Sequence, residues 1–107
     1  MAEIAAGTIR RLGLQMSFTR EEVVAYDGYL GAGYAIVAEP EQEAISLMAR
    51  CEGILLDLVY TGRAMAGLID LIRKGEFGKN ETIVFWHTGG SVALFAYAEQ
   101  LLAGEIR

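Results

Sequence analysis

Two stretches of the chain repeat apolar residues with the period of an α-helix. In each stretch the apolar positions fall at i, i+3, i+4 and i+7, which places their side chains on one helical face. The first set is Ala44, Leu47, Met48 and Cys51, and the second is Met65, Leu68, Ile69 and Ile72. Gly53 and Gly75 follow the two stretches and are natural helix ends. The pattern predicts two amphipathic helices, with Cys51 as a small buried hydrophobe rather than a nucleophile.

The two ends of the chain also have helical patterns. Ala2 to Leu12 carries a stripe of Ala5, Ile9 and Leu12 and is followed by Gly13. A final helix is predicted from Ser91 to about Leu102.

Two short segments are typical of β-strands. Val23 to Tyr26 is rich in β-branched residues, and Thr82 to Trp86 is a continuous apolar run that predicts a strand buried on both faces. The order of helices and strands predicts an α/β fold, a partial parallel sheet with flanking helices in a single unit of residues 1–107. Because open sheets usually have about 4–6 strands, we expect self-association, domain swapping or another part of a longer ancestor to supply the missing strands.

Charge and composition exclude several classes of protein. The net charge of −5 and a pI near 4.8 argue against nucleic-acid binding, which needs a basic face. The longest apolar runs are far shorter than a membrane span. The chain has one cysteine and so no internal disulfide, which makes a reducing, cytoplasmic location the simpler expectation. Hydrophobic residues make up 53% of the chain, which suggests an apolar face meant for more than a small core.

A ligand site is one interpretation of the segment His87-Thr88-Gly89-Gly90-Ser91. It lies where the predicted strand gives way to a helix, and ligands bind at the carboxyl ends of such strands. A tight strand-to-helix turn that needs glycine is the alternative. His87 is the chain's one histidine, has no partner at metal-ligand spacing and is interpreted as a hydrogen-bonded structural residue, so we predict no metal site.

A second group of polar candidates lies in two other connectors. Tyr29 and Tyr34 lie among the glycines of residues 28–34, where a phenol can act as a general acid or base or simply pack its ring on the core. Asp57 is a candidate capping acid, and Thr61 is either a helix cap or a ligand contact beside Tyr60.

Several of these segments together resemble a known family. The sequence EGILLDLVYTGRAMAGLI at 52–69, followed by VFWHTGG at 84–90, resembles the C-terminal part of the D-cysteine desulfhydrase and 1-aminocyclopropane-1-carboxylate deaminase family. DGYLGAGY at 27–34 and EAI at 43–45 also match, so that the resemblance spans essentially the whole chain. Members are pyridoxal-phosphate enzymes with the tryptophan synthase β-like fold (fold type II), and residues 1–107 resemble the C-terminal part of their large domain. The desulfhydrase branch is the more similar, because Thr61 follows Tyr60 where the deaminases tend to carry Glu.

The resemblance implies roles for six residues. Tyr34 and Tyr60 correspond to a pocket-lining tyrosine and the active-site tyrosine, which are counted as catalytic positions. Thr61 corresponds to the residue that hydrogen-bonds the pyridine nitrogen of pyridoxal phosphate. The loop packed near the cofactor ring corresponds to Thr88, Gly89 and Gly90.

The departures from the family bear on activity. The family's Schiff-base lysine, phosphate-binding loop and ring-stacking residue lie upstream of the matching segment, and neither Lys74 nor Lys79 corresponds to the lysine. Leu58 replaces the usual Pro, and Arg63 replaces the usual Lys. We therefore expect a chain that does not bind pyridoxal phosphate covalently and is inactive alone, and whose partner is a second copy or a missing N-terminal portion. The alternative is a repurposed, non-catalytic oligomeric module, such as a mobile-cassette protein.

Overall fold

Helices make up the regular secondary structure of the residues that the computed structural model describes, 1–34 and 36–103. Four α-helices span Ala2–Leu12 (α1), Glu39–Glu52 (α2), Thr61–Arg73 (α3) and Ala98–Leu102 (α4). Short 3-10 helices cover Arg20–Glu22 and Ser91–Tyr97. None of these helices has the length and apolar character that crossing a membrane requires.

The predicted helices α1, α2 and α3 are confirmed, and their ends follow from local chemistry. Gly53 ends α2 in the left-handed region, with φ 66°, a conformation that costs glycine little. Its amide donates to the Ala49 carbonyl, and the next amide, of Ile54, donates to the Met48 carbonyl. These two bonds close the last turn of α2 and turn the chain back towards the core.

The core forms where α2 packs against α3. Its buried apolar side chains come from both helices and from the segment between them, and they are Ala44, Ile45, Leu56, Leu58 and Met65. The connector that joins α2 to α3 therefore enters the core at residues 56–58, whereas residues 53–55 and Tyr60 are exposed. This placement fixes the start of α3, where the candidate site lies.

The expectation of an α/β fold with a partial parallel sheet is wrong for the described residues. Val23 to Tyr26 and Thr82 to Trp86, the predicted strands, have irregular backbone. Val84 and Trp86, expected to be buried on both faces of a strand, are 80% and 81% exposed. β-Branched and aromatic composition favours a strand only where a neighbouring strand completes the hydrogen-bond ladder, and the described residues supply no such neighbour.

Two further expectations need correction. Cys51 is exposed rather than buried, because the stripe of α2 meets α3 through Ala44 and Ile45 and leaves the last turn uncovered. The predicted final helix from Ser91 to Leu102 is divided into the 3-10 helix Ser91–Tyr97 and the short α4.

The chain is more open than a compact protein of its size. Its accessible surface is 8480 Å², whereas a compact monomer of this mass exposes about 5,800 Å². The radius of gyration is 16.5 Å, compared with about 13 Å for a compact domain of this length. Large apolar side chains outside the core, Ile4 on α1 and Phe95 on the 3-10 helix among them, are consequently exposed.

We predict that Gly62→Ala destabilises the fold by about 1–3 kcal/mol or more. A Cβ at this position would lie within van der Waals overlap of the Asp57 carbonyl oxygen and 3.1 Å from the Ile45 side chain. The control is Gly7→Ala on α1, where the nearest atom to an added Cβ is 4.0 Å away and the change should gain about 0.5–1 kcal/mol. Urea unfolding followed by circular dichroism measures both, and equal stability of the two variants would contradict the close approach.

Candidate functional site

A single carboxylate organises the turn that begins α3. Asp57 Oδ1 accepts hydrogen bonds from the Val59 and Tyr60 amides at 2.8 and 2.7 Å. Oδ2 accepts from the Thr61 amide at 2.8 Å and from the Thr61 hydroxyl at 2.6 Å. Because free amides at a helix start need acceptors, Asp57 is the capping acid that the sequence suggested.

The charge of Asp57 is held by neutral donors. Its side chain is buried, with 2% of the residue exposed. Burial raises the pKa of the Asp57 carboxyl, but the hydrogen bonds from the Thr61 hydroxyl and from three backbone amides outweigh it, so that the pKa is lowered overall. The stability that the carboxylate contributes is therefore complete above its ordinary pKa and is lost as the pH falls through the lowered one.

The Thr61 hydroxyl is committed to Asp57 in both directions. It donates to Oδ2 of Asp57 and accepts the Asp57 amide at 2.9 Å. A hydroxyl has one proton and two lone pairs, so Thr61 has no proton left to donate and one lone pair to offer. The sequence left a helix cap and a ligand contact as alternatives for Thr61; its hydroxyl bonds the Asp57 amide and carboxylate rather than an amide of α3, and the ligand contact stays a prediction.

The two tyrosines that the resemblance singles out meet. The phenol oxygens of Tyr34 and Tyr60 are 3.3 Å apart, and the rings pack edge to face with centroids 6.4 Å apart. The side chains are 75% and 63% exposed. The hydrogen bond with Tyr34 raises the pKa of the Tyr60 phenol, and the negative charge of Asp57 adds to this in a minor way. Both effects favour the protonated form of the Tyr60 phenol.

Arg63 holds the loop that carries Tyr34. Its Nε donates to Glu41 Oε1 at 3.0 Å, and Nη2 donates to the carbonyls of Gly33 and Ile36 at 3.2 and 3.0 Å. Both members of the Arg63–Glu41 ion pair are largely buried. A planar guanidinium reaches these acceptors at once, so Arg63 acts as a clamp on this loop.

A groove of about 530 Å³ lies beside the Asp57 turn. Of the six predicted site residues, Tyr60, Thr61 and Thr88 line it. Tyr34 reaches the groove through its bond to Tyr60, and Gly90 packs against the Asp57 side chain. Gly89 lies beside them in the chain, and an added Cβ there would meet nothing within 4 Å. The predicted residues therefore lie in one region of the structure. Their catalytic and cofactor-binding roles stay predictions.

The groove also has walls that the sequence patterns did not predict. Aromatic side chains supply them, namely Tyr26, Phe85 and Trp86. Tyr29, a candidate phenol of the sequence analysis, also lines the groove. Tyr29 is fixed by its phenol, which donates to Asp70 Oδ2 at 2.5 Å, and by its ring, which lies against Gly67. Gly67, a glycine within the helical pattern of α3, was the available signal for this close contact.

His87 has the structural role that the sequence favoured. Its Nε2 lies 3.0 Å from the Leu55 carbonyl, and its Nδ1 accepts the Gly89 amide at 2.9 Å. Because a carbonyl only accepts, Nε2 carries the proton in this arrangement. Nε2 thus joins the 87–89 turn to Leu55, and Nδ1 closes the turn itself. In the part of the chain described here, no three His, Cys, Asp or Glu side chains gather as a metal site would need.

The described cationic side chains offer no free charge to the groove. Lys74 pairs with Asp70 Oδ2 at 2.5 Å, and Lys79 is exposed in a loop; neither lines the groove. Arg63 does line it, but its guanidinium is used by Glu41 and by two loop carbonyls. Within the described residues the groove therefore has neither a lysine amine for a Schiff base nor a free cation for a phosphate.

We predict that Tyr34→Phe lowers the pKa of the Tyr60 phenol. The present hydrogen bond favours the protonated pair, so its contribution to stability is full below pH 10.0 and is lost as the pH rises through the raised pKa. NMR titration of ¹³C-labelled tyrosine measures the change. Tyr26→Phe is the control, since Tyr26 contacts Tyr29 and not Tyr60. An unchanged Tyr60 titration in Tyr34→Phe would contradict the pairing.

Comparison with known proteins shows the family of the chain. A family model described as pyridoxal-phosphate dependent enzyme matches residues 3–89. The matched range includes the Asp57 turn, the tyrosine pair and Thr88, and it covers most of the 107 residues. The chain belongs to the family of pyridoxal-phosphate dependent enzymes.

Proposed function

We propose that this chain supplies one wall of the active site of a pyridoxal-phosphate-dependent lyase or deaminase that acts on small amino acids, of the D-cysteine desulfhydrase type. The observation that carries the proposal is the Tyr34–Tyr60 phenol pair at the edge of an aromatic groove, next to Thr61. The Tyr60-Thr61 sequence, with Thr in place of Glu, favours the desulfhydrase branch over the deaminase branch.

The described residues do not fit the complete cofactor. Pyridoxal phosphate is the cofactor of the family, and such enzymes hold it through a lysine amine. Lys74 is paired with Asp70 and Lys79 is exposed in a loop, and neither lines the groove. Arg63 is committed to its clamp. We therefore propose that the lysine and the phosphate site come from outside residues 1–107, and that these residues are inactive by themselves.

Within this proposal the tyrosine pair handles a proton. Tyr60 lines the groove, and either phenol of the pair can donate to the other. A phenol is protonated at neutral pH and can donate its proton as a general acid; the bond with Tyr34 raises the pKa of Tyr60, so that Tyr60 holds this proton until a reacting group accepts it. Tyr34 supports that state from outside the groove, and Arg63 keeps Tyr34 in place.

The test is sulfide release from D-cysteine in the presence of pyridoxal phosphate. We predict no sulfide and no Schiff-base absorbance from the chain alone. Mixing it with the lysine-bearing N-terminal part of a family enzyme should restore sulfide release. Tyr60→Phe should remove most of the restored activity, whereas Tyr26→Phe, which alters another aromatic wall of the groove, should retain more of it.

Two outcomes would contradict this proposal. Sulfide release by the chain alone that survives replacement of Lys74 and Lys79 by arginine would show that no lysine is needed from elsewhere. Restored activity that is indifferent to Tyr60→Phe would remove the tyrosine pair from the reaction.

A non-catalytic oligomeric module is the second candidate function, and the open surface favours it. The difference between 8480 Å² observed and about 5,800 Å² for a compact monomer is similar to what stable obligate interfaces bury. Val84, Trp86, Val92 and Phe95, in the segment 84–95, are each about four-fifths exposed. In this case a second copy of the chain covers that segment.

Light scattering at micromolar concentration tests the second candidate. We predict a mass above that of the monomer, which falls to the monomer when Trp86 and Phe95 are both replaced by serine. Ile4→Ser on α1, also an exposed apolar position, is the matched control and should leave the mass unchanged. A wild-type monomer under these conditions would contradict the module.

A further inference from the structure

Asp57 is a buried carboxylate with four hydrogen-bond donors around it. Three are the backbone amides of Val59, Tyr60 and Thr61, and the fourth is the Thr61 hydroxyl. Burying a carboxylate costs several kcal/mol unless its oxygens are well satisfied. Here each oxygen accepts two hydrogen bonds, so the carboxylate is matched to this turn.

A neutral amide would not fit the same turn. Asparagine could place its carbonyl oxygen where Oδ1 accepts the Val59 and Tyr60 amides. Its amino group would then face the Thr61 amide and hydroxyl, which both donate to Oδ2. The turn therefore requires two acceptor atoms, which a carboxylate has and an amide lacks.

The same carboxylate touches three of the predicted site positions. It accepts a hydrogen bond from the Tyr60 amide and another from the Thr61 hydroxyl, and its Cβ and Cγ would lie 3.0 Å from a Cβ added at Gly90. Gly90 has φ 94°, so its backbone turns directly over the Asp57 side chain. A shift of Asp57 would therefore move all three positions together.

We propose that Asp57 is a positioning residue, which sets the Tyr60 phenol against Tyr34 and fixes the Thr61 hydroxyl as a pure hydrogen-bond acceptor. A ligand group that meets the Thr61 oxygen must then be a donor. The catalytic meaning of this arrangement rests on the proposed function, whereas the positioning itself is a property of the chain without any ligand.

A double-mutant cycle on the chain alone tests the positioning. Removing the Asp57 charge alone changes the Tyr60 pKa. The informative quantity is therefore the change in the Tyr60 pKa caused by Tyr34→Phe, measured in the wild type and again in Asp57→Asn. We expect this effect to vanish in Asp57→Asn, because Tyr60 is then no longer held against Tyr34. The control is Asp70→Asn, which removes a carboxylate bonded to Tyr29 and should leave the effect intact. A full Tyr34→Phe effect in Asp57→Asn would overturn the proposal.

A second pair of variants applies where Asp57→Asn does not fold. Gly90→Ala keeps every hydrogen-bonding group of Asp57 but presses a Cβ onto its side chain, so it should reduce the Tyr34–Tyr60 coupling. Gly89→Ala has a similar φ of 95° and meets nothing within 4 Å, so it carries the same backbone strain without the contact. Equal coupling in these two variants would also overturn the proposal. Neither readout uses sulfide release, so the outcome is independent of the proposed activity.

Discussion

The start of α3 is the constraint on which the rest of this structure depends. The first amides of a helix lack partners within it. Here the Tyr60 and Thr61 amides use the Asp57 side chain, and the Gly62 amide uses the Asp57 carbonyl at 2.8 Å. The close approach leaves no room for a side chain at Gly62. One residue thus supplies side-chain and backbone acceptors, and the turn it closes directs Leu58 into the core and leaves Tyr60 exposed towards the groove.

The helices could be predicted from the sequence because their signals are local. The spacing of Met65, Leu68 and Ile69 and the glycine after each helix act within a few residues, and α2 and α3 follow them. A strand depends on a neighbour that may be far away in the chain. The run from Thr82 to Trp86 has strand-like composition, yet the described residues provide no partner for it. The wrong prediction for Cys51 has a similar cause. Periodicity predicts which side chains share a face of α2, but not how much of that face α3 covers.

The candidate site could also be predicted only in part. The resemblance pointed to Tyr60, Thr61 and Thr88, and these line one groove although Thr88 follows Thr61 by 27 positions in the sequence. Tyr26, Phe85 and Trp86 were not predicted as its walls, because aromatic contacts depend on how the loops close over α3. The clamp by Arg63 was also unforeseen. Its three acceptors come from Glu41 and from carbonyls of the glycine-rich loop, which no spacing along the sequence relates to it.

The absence of a sheet, the exposed apolar segment and the incomplete groove have the same physical cause, a lack of neighbouring groups. Many apolar side chains of the described residues have no neighbour that buries them. The groove has aromatic walls and a tyrosine pair, but among the described residues it has neither an amine nor a free cation to bind a charged cofactor. Both proposed functions therefore place polypeptide from outside residues 1–107 against the same open surface. They differ in what that polypeptide carries. A partner with a lysine and an anion site would make the phenol of Tyr60 part of a reaction, whereas a second copy of this chain would bring only Lys74 and Lys79, and the same groove would then be an interface.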